Sequence, residues 1–338
     1  MNRPSFVFTG GGTGGHVYPN IAIYEALRDR FPEAKFLYIG SPAGAEYKIV
    51  SSLSQPIPFV SVPSKGLPTR WRHPSAILPL LSILWGAFRS LFVLRRFRPD
   101  CVIGSGGYVS APVIIASALL RIPTFVHEQN AVPGRFNLLI GRFVRRIGVS
   151  FQSTTVFFPP DKVTCTGYPL RHSMVLKASA PIRKRFGIPP ENRVVFVVGG
   201  SMGARSINRA IAEIIPRLLA TPNISVILST GRQYSPLYRA YDDTVQILER
   251  AGLPAEIPGR LLVREYIDPI DEVYSMTDLV VSRAGAGVVK ELSVLGLPML
   301  LIPKIDLPGD HQIMNAKEIE RIGGARIIYE EIHGQPKP

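Results

Sequence analysis

Cysteine is nearly absent from this chain, with Cys101 and Cys165 the only two in 338 residues. That excludes a disulfide framework. Both sit in apolar or strand-like contexts, DCVIG and KVTCTG, and are expected to be buried free thiols in a reducing compartment. No long apolar run precedes the first glycines of MNRPSFVFTGGG, so no secretory signal is read. Acid is scarce beside base: 25 Asp and Glu against 39 Lys and Arg, a formal charge of +14. Such an excess suits an anionic partner, whether a membrane surface, a nucleic acid or a phosphorylated substrate, and does not choose among them. No DxD pair occurs; Asp268 and Asp271 have the wrong spacing and flank a proline, so no essential metal and no cofactor are expected. A spanning helix needs about 20 apolar residues. The stretch from His73 to Phe88 carries no Asp, Glu, Lys or Arg, but it is short and contains Pro79. It is read as a surface-seated helix and not as a transmembrane one.

What the chain does have is apolar residues, 46%, enough for sizeable cores. Short β-rich apolar runs alternate with helical patterns. Ser5–Thr9, Lys35–Ile39, Phe59–Val62, Cys101–Ile103, Thr124–His127 and Ile147–Val149 read as strands, with helices such as Asn20–Phe31 and Ala111–Leu120 between them. A second set follows: Val194–Val198, Ser225–Ser229, Leu261–Val263, Leu279–Ser282, Met299–Ile302 and Arg326–Tyr329. Near-continuous apolar strands separated by helices predict parallel sheets covered on both faces. The Gly- and Pro-containing stretch from Thr166 to Pro190 reads as a linker, dividing an N-terminal domain at 1–166 from a C-terminal domain at 167–338. The expected fold is α/β, two doubly wound domains facing a central cleft, with ligands at the strand carboxyl ends.

Each half opens on a strand, a glycine-rich turn and a helix: FVFTGGGTGGH and VFVVGGSMGARS. Glycine lets a backbone approach a ligand closely, and the helix that follows offers unpaired N–H groups to an anion. Neither loop ends in GK[ST], which excludes a P-loop. Gly10, Gly12 and Gly15 fit GxGxxG, but Ile39-Gly40-Ser41-Pro42 stands where a dinucleotide fold carries its ribose-binding acid. A third loop, GSGGY at Gly104–Tyr108, follows another strand. In the second half Ser201 can donate to a phosphate, and Arg205 either pairs with charge there or supports the loop. In RAGAGVVKELSV a turn leads into a helix over Val288–Leu295, where Glu291 can accept both ribose hydroxyls.

Taken together, GGTGGH at Gly11–His16, GGYVSAP at Gly106–Pro112, HEQN at His127–Asn130, GGSMGAR at Gly199–Arg205, RAGA at Arg283–Ala286, Glu291 and HQxxNA at His311–Ala316 resemble the MurG family of nucleotide-sugar transferases. The resemblance runs from about residue 5 to residue 330 and implies the GT-B fold of two Rossmann-like domains. Family members continue into C-terminal helices that cross back; this sequence ends at HGQPKP, so those helices are expected to be missing. It implies inverting transfer of N-acetylglucosamine from UDP-N-acetylglucosamine to undecaprenyl-diphospho-N-acetylmuramoyl-pentapeptide, in peptidoglycan synthesis. It further implies peripheral attachment to the cytoplasmic face of the inner membrane, and an anionic membrane rather than nucleic acid as the partner. The carried-over UDP-sugar contacts are Thr13, Gly14, Gly15, Asn130, Arg171 (the arginine opening the second domain), Ser201, Ile267 (a backbone contact to uracil), Ala286, Gly287, Val288, Val289, Lys290, Glu291 and Gln312. The donor turn lacks a threonine common there.

The acceptor hydroxyl needs a base. His16 is the first candidate, as histidine exchanges protons near neutrality; it can equally cap the loop. Glu128 is the second, and can instead orient the acceptor or stabilise its loop. For the membrane face, Ile77, Leu81, Leu84, Trp85, Phe88 and Phe92 recur at helical spacing, with Arg70, Arg72, Arg89, Arg95, Arg96 and Arg98 around them and Arg142, Arg145 and Arg146 as a further cluster. That pattern suits docking on anionic lipid, or a helix buried against the sheet with solvated arginines. Another glycolipid glycosyltransferase and a nucleotide-sugar-binding regulator without turnover are the rival readings.

Overall fold

A computed structural model describes residues 3–42, 44–66, 77–171, 174, 179–232, 238–305 and 308–330. The chain divides into two compact units, Met1–His172 and Ser173–Pro338.

In the first unit, β1 (Ser5–Thr9), β2 (Lys35–Gly40), β3 (Phe59–Ser61), β4 (Cys101–Gly104), β5 (Thr124–Glu128), β6 (Arg146–Val149) and β7 (Val163–Cys165) form one parallel sheet. Their order is β3-β2-β1-β4-β5-β6-β7. The helices are α1 (Gly14–Arg30), α2 (Ala45–Ser51), α3 (Ile77–Phe97), α4 (Ala111–Leu119) and α5 (Arg135–Ile140). Successive strand residues point to opposite faces, so a strand covered on both sides must be apolar throughout. In β1, Val7 packs with Leu94 of α3 and with Val113 and Ala116 of α4. Its neighbour Phe8 packs on the other face with Val17, Ile21 and Tyr24 of α1.

The second unit repeats the plan. Its strands are β8 (Arg193–Val198), β9 (Ile224–Ser229), β10 (Glu256–Ile257), β11 (Leu261–Arg264), β12 (Leu279–Ser282), β13 (Met299–Leu301) and β14 (Ala325–Ile327). They run β10-β11-β9-β8-β12-β13-β14, parallel except for the β10–β11 pair. The helices are α6 (Ser179–Arg185), α7 (Arg205–Ala220), α8 (Ala240–Arg250), α9 (Ile270–Tyr274), α10 (Ala286–Val294) and α11 (His311–Arg321). Ile207, Ile211 and Ile215 recur every four residues and bury one stripe of α7 against Val197, Val226 and Leu228. In each sheet the winding direction reverses beside the first strand, between β1 and β4 and between β8 and β12, and open α/β sheets bind ligands at the carboxyl side of that reversal.

Three sequence expectations change. The stretch read as a linker contains α6, which is pinned because Arg183 donates to Asn192 O (2.7 Å), Met276 O (3.0 Å) and Asp278 Oδ2 (3.3 Å). Cys165 is exposed and Cys101 half-buried, because Cys165 ends an edge strand with a partner on one side only. The apolar helix is longer than its charge-free stretch: α3 has 21 residues and is long and apolar enough to cross a membrane. Pro79 falls in its first turn, where a missing N–H costs no helical bond. Yet Ile83, Gly86, Ala87, Ser90 and Leu94 of α3 are buried in the unit, and a Cβ on Gly86 would lie 2.1 Å from Pro63 O. One face of α3 therefore covers the sheet. Arg70, Arg72 and the opening of the charge-free stretch lie outside the described residues.

Candidate active site

The first glycine loop leaves β1 and is held from three sides. Asn20 Nδ2 donates to Thr9 O (3.0 Å) and the Tyr38 hydroxyl to Gly10 O (2.7 Å). Burial pushes the Tyr38 phenol well up, so it stays a donor. Beneath the loop lies Glu46 of α2, fully buried: Oε2 accepts the Gly12 N–H (3.1 Å) and Oε1 the Ser41 N–H (2.9 Å). A Cβ on Gly11 would fall 2.3 Å from that carboxylate. Thr13 is the N-cap of α1, and Gly14 and Gly15 open it, so their N–H groups have no partner within the helix.

His16 completes the loop. Its Nδ1 lies 2.9 Å from the carbonyl oxygen of Ser105. A carbonyl only accepts, so Nδ1 carries a proton, and in the neutral ring the lone pair then belongs to Nε2. The Ser105 hydroxyl in turn donates to His16 O, and Gln129 Nε2 donates to Ser105 O (2.8 Å). The second loop approaches closely because Gly107 sits at φ +76 without a side chain; a Cβ there would be 2.6 Å from Gly11 O and 3.3 Å from the His16 ring. The structure thus joins GGTGGH, GSGGY and HEQN around one imidazole.

Glu128 is placed differently from a base. It is 1% exposed. Oε1 accepts the Asn130 N–H (2.9 Å) and Asn130 Nδ2 (3.2 Å), while Oε2 accepts the Gly134 N–H (3.0 Å) and Asn137 Nδ2 (2.8 Å). Both oxygens are occupied, so Glu128 orders the loop that carries Asn130, the second of the roles open to it from sequence. His127 is buried beside it with Nε2 2.9 Å from Gly167 O; burial drives its pKa down, against the pull of that carbonyl and of Glu128. Arg171 belongs to the first unit, where its guanidinium stacks 4.7 Å from the Tyr18 ring of α1.

In the second unit the loops after β8 and β9 lock back to back. Gly203, at φ +77, would put a Cβ 2.0 Å from Thr230 O, and Gly231 would put one 2.1 Å from Gly203 N. Ser201 is left exposed, its carbonyl accepting the Arg232 N–H (3.0 Å). Arg205 opens α7 and lies over the Tyr238 ring, so it supports the loop. Ile267 is half-buried just after β11. The helix of the donor turn starts earlier than expected, with Gly285 as N-cap, so Ala286, Gly287 and Val288 provide its free first-turn N–H groups. Val289 is fully buried, which restricts it to a backbone role. Lys290 and Glu291 are half-buried one turn further on.

This turn is fixed from behind. Asn315 Nδ2, fully buried, donates to Ala284 O (3.2 Å). Arg283 donates to Ile302 O (3.1 Å) and Ser206 Oγ (2.9 Å) and pairs with Glu330 at 2.8 Å. Burial works against the Glu330 charge, but Arg283 and Ser206 hold its carboxyl below the usual range. Gln312 Oε1 accepts the Lys304 N–H (2.8 Å), tying the start of α11 to the loop after β13. Among the described residues no three His, Cys, Asp or Glu side chains gather to hold a metal.

Sequence reading missed Glu46, Ser105 and Glu330. Ser105 lay inside a quoted glycine motif. Glu46 looked like any acid in a first helical turn, and Glu330 like a charge past the last strand.

The glycosyltransferase family 28 N-terminal domain matches residues 6–149, and the family 28 C-terminal domain residues 194–335. The UDP-N-acetylglucosamine–N-acetylmuramyl-(pentapeptide) pyrophosphoryl-undecaprenol N-acetylglucosamine transferase of Desulforudis audaxviator (strain MP104C) is 37% identical over 97% of this chain and 86% of its own. The chain belongs to the MurG family, within glycosyltransferase family 28. The transferase of the same name from Bacillus cytotoxicus (strain DSM 22905 / CIP 110041 / 391-98 / NVH 391-98) is 37% identical over 96% of this chain and 85% of its own. The crystal structure of Acinetobacter baumannii MurG superposes with a TM-score of 0.71 at 26% identity, covering 96% of this chain and 85% of that one. As a MurG-family member the chain is a glycosyltransferase built from two parallel-sheet α/β domains.

Proposed function

We propose that this chain moves N-acetylglucosamine from UDP-N-acetylglucosamine to the muramoyl hydroxyl of undecaprenyl-diphospho-N-acetylmuramoyl-pentapeptide, with inversion, making the disaccharide lipid of peptidoglycan synthesis. Family membership supports the reaction, and the observation that carries the mechanism is the His16 imidazole with Nδ1–H committed to Ser105 O and Nε2 left basic. Nε2 takes the acceptor proton as the oxygen attacks the anomeric carbon; such general-base help is worth roughly 10²–10⁴-fold. Inversion needs one displacement and no covalent sugar intermediate.

Charge grows on the departing diphosphate. The first-turn N–H groups of α10 and the Ser201 hydroxyl stabilise it. Glu291 accepts the ribose hydroxyls, the Ile267 backbone meets uracil, and Gln312, Lys290, Asn130, Thr13 and Arg171 complete the UDP-sugar contacts. No metal has a part in this account.

We propose peripheral docking on the cytoplasmic face of the inner membrane, a reading that the exposed face of α3 supports. Ile77, Leu81, Leu84, Trp85, Phe88 and Phe92 are each about half exposed, with Arg89 among them. Apolar residues ringed by cations suit an anionic bilayer. Nucleic acid has no part in this reading.

Calorimetric titration with UDP tests the donor half. The wild type binds, and Glu291→Gln binds about tenfold or more weakly, the loss of charge-assisted bonds worth roughly 1.5–3 kcal/mol. Absence of UDP binding by the folded wild type contradicts the proposal.

A further inference from the structure

We infer that Gln129 is a positioning residue for the transfer: it aims the Ser105 carbonyl, which in turn holds the His16 ring in the tautomer a base needs. The inference rests on the reading of His16 as the base and extends it one residue outward.

Within HEQN, Glu128 orders its own loop and Asn130 belongs to the proposed sugar contacts; Gln129 takes part in neither. It is 2% exposed. Its Nε2 donates to Ser105 O (2.8 Å) and to His127 O (3.2 Å). Both neighbours are backbone carbonyls, which only accept. The amide can therefore face them in one orientation alone, with both hydrogens of its NH₂ in use.

The Ser105 carbonyl has two lone pairs. His16 Nδ1 lies on one at 2.9 Å, and Gln129 Nε2 takes the other. Ser105 is fully buried, so solvent does not replace either donor. The Ser105 N–H is pinned to Thr9 O (3.1 Å) at the end of β1. Its carbonyl, however, belongs to the next peptide, which leads into Gly106 at φ +87 and Gly107 at φ +76. Glycines leave that peptide freer to turn than any other pair of residues would. Gln129 removes the freedom by tying the carbonyl to His127 O, which lies inside β5 and is fixed by the sheet. The Ser105 hydroxyl also donates to His16 O, so ring and backbone of His16 hang on the one residue that Gln129 steadies.

This arrangement carries a cost in stability. Gln129 Oε1 is buried and has no partner among the described residues. A methionine would fill much the same space without that cost. Folded proteins break such local rules chiefly where function is served. What the amide alone supplies here is its pair of N–H donors. Without the Ser105 carbonyl no other described residue holds the proton on Nδ1, and a neutral ring protonated at Nε2 has no lone pair there for the acceptor proton.

The test starts from Gln129→Met, which removes both donors and keeps the bulk. Its kcat, taken at the plateau of the pH profile with both substrates saturating, falls about tenfold, near the upper worth of one neutral hydrogen bond. KM for UDP-N-acetylglucosamine stays at the wild-type value. The acid limb of the profile moves to lower pH, because an imidazolium that has lost its carbonyl partner is less favoured. In the His16→Ala background the same substitution costs nothing further, so the double-mutant cycle shows full coupling. Unchanged kcat in Gln129→Met, or an equal loss with and without His16, overturns the inference. Nitrogen NMR shifts of the His16 ring check the same point without activity. The neutral wild-type ring carries its proton on Nδ1, and in Gln129→Met the form protonated at Nε2 appears. A wild-type ring protonated at Nε2 overturns the inference even where Gln129→Met is too unstable to assay, and so does a variant ring identical to wild type. Near-wild-type turnover of His16→Ala removes the base reading instead, while the ring shifts still report whether Gln129 sets the tautomer.

Discussion

The Nδ1 of His16 lies 2.9 Å from the carbonyl oxygen of Ser105. One hydrogen bond, between the loops after β1 and β4, favours the tautomer that the proposed base needs. His16→Ala and His16→Asn should each lower kcat by roughly 10²–10⁴-fold, the size of a general-base contribution, with KM for UDP-N-acetylglucosamine nearly unchanged. Steady-state kinetics at saturating acceptor decides; near-wild-type turnover in both variants removes His16 from the mechanism.

Gly107 tests whether the geometry of that bond matters. Its φ of +76 and the Gly11 carbonyl 2.6 Å from a built Cβ leave no room for alanine. Gly107→Ala should push the two loops apart, cost about 1–2 kcal/mol from the left-handed backbone alone, and lower kcat although the His16 side chain is intact. A variant of unchanged Tm and kcat would show that the loops are not coupled through this contact.

Much of this was legible in the sequence. Strands such as β1 and β8 are covered on both faces and so read as unbroken apolar runs. Their glycine loops declared themselves because only glycine fits positions like Gly12 and Gly203. What was hidden depended on partners distant in the chain. β7 and β10 are short edge strands with little apolar content, defined by pairing alone. The start of α1 was obscured by Gly14 and Gly15, poor helix formers in isolation. Glu46 and Glu330 gain their roles only when folding brings Gly12 and Arg283 to them.

Glu128 separates a structural from a chemical carboxylate. Glutamine keeps the acceptor for Asn130 but turns an NH₂ toward the Gly134 N–H and Asn137 Nδ2, leaving buried donors unsatisfied at about 1–3 kcal/mol. Glu128→Gln should therefore lower Tm and raise KM. A kcat collapse with unchanged Tm would return Glu128 to the role of base.

His127 gives the first unit a pH dependence. Its folded pKa lies below the ordinary histidine value, mainly through burial. The unfolded chain therefore takes up the proton first as pH falls. The stability from burying a neutral ring is fully present above the unfolded pKa, about 6.5, and drains away as pH drops from there through the folded value. Tm should decline over that window, and less so in His127→Asn. Equal declines in both proteins would assign the effect elsewhere.

Leaving-group stabilisation by N–H groups and Ser201 predicts indifference to chelation. Activity should persist in excess EDTA. Complete loss, restored by Mg²⁺ or Mn²⁺, would require a cation on the diphosphate.

The most direct measurement is product analysis after incubating the chain with UDP-N-acetylglucosamine and a short-chain analogue of the undecaprenyl-diphospho-muramoyl-pentapeptide acceptor. The predicted product is heavier by one N-acetylhexosamine, joined β-1,4 to the muramoyl residue, with one UDP released per transfer. UDP-sugar binding without any product, or sugar appearing on a different acceptor position, would contradict the account.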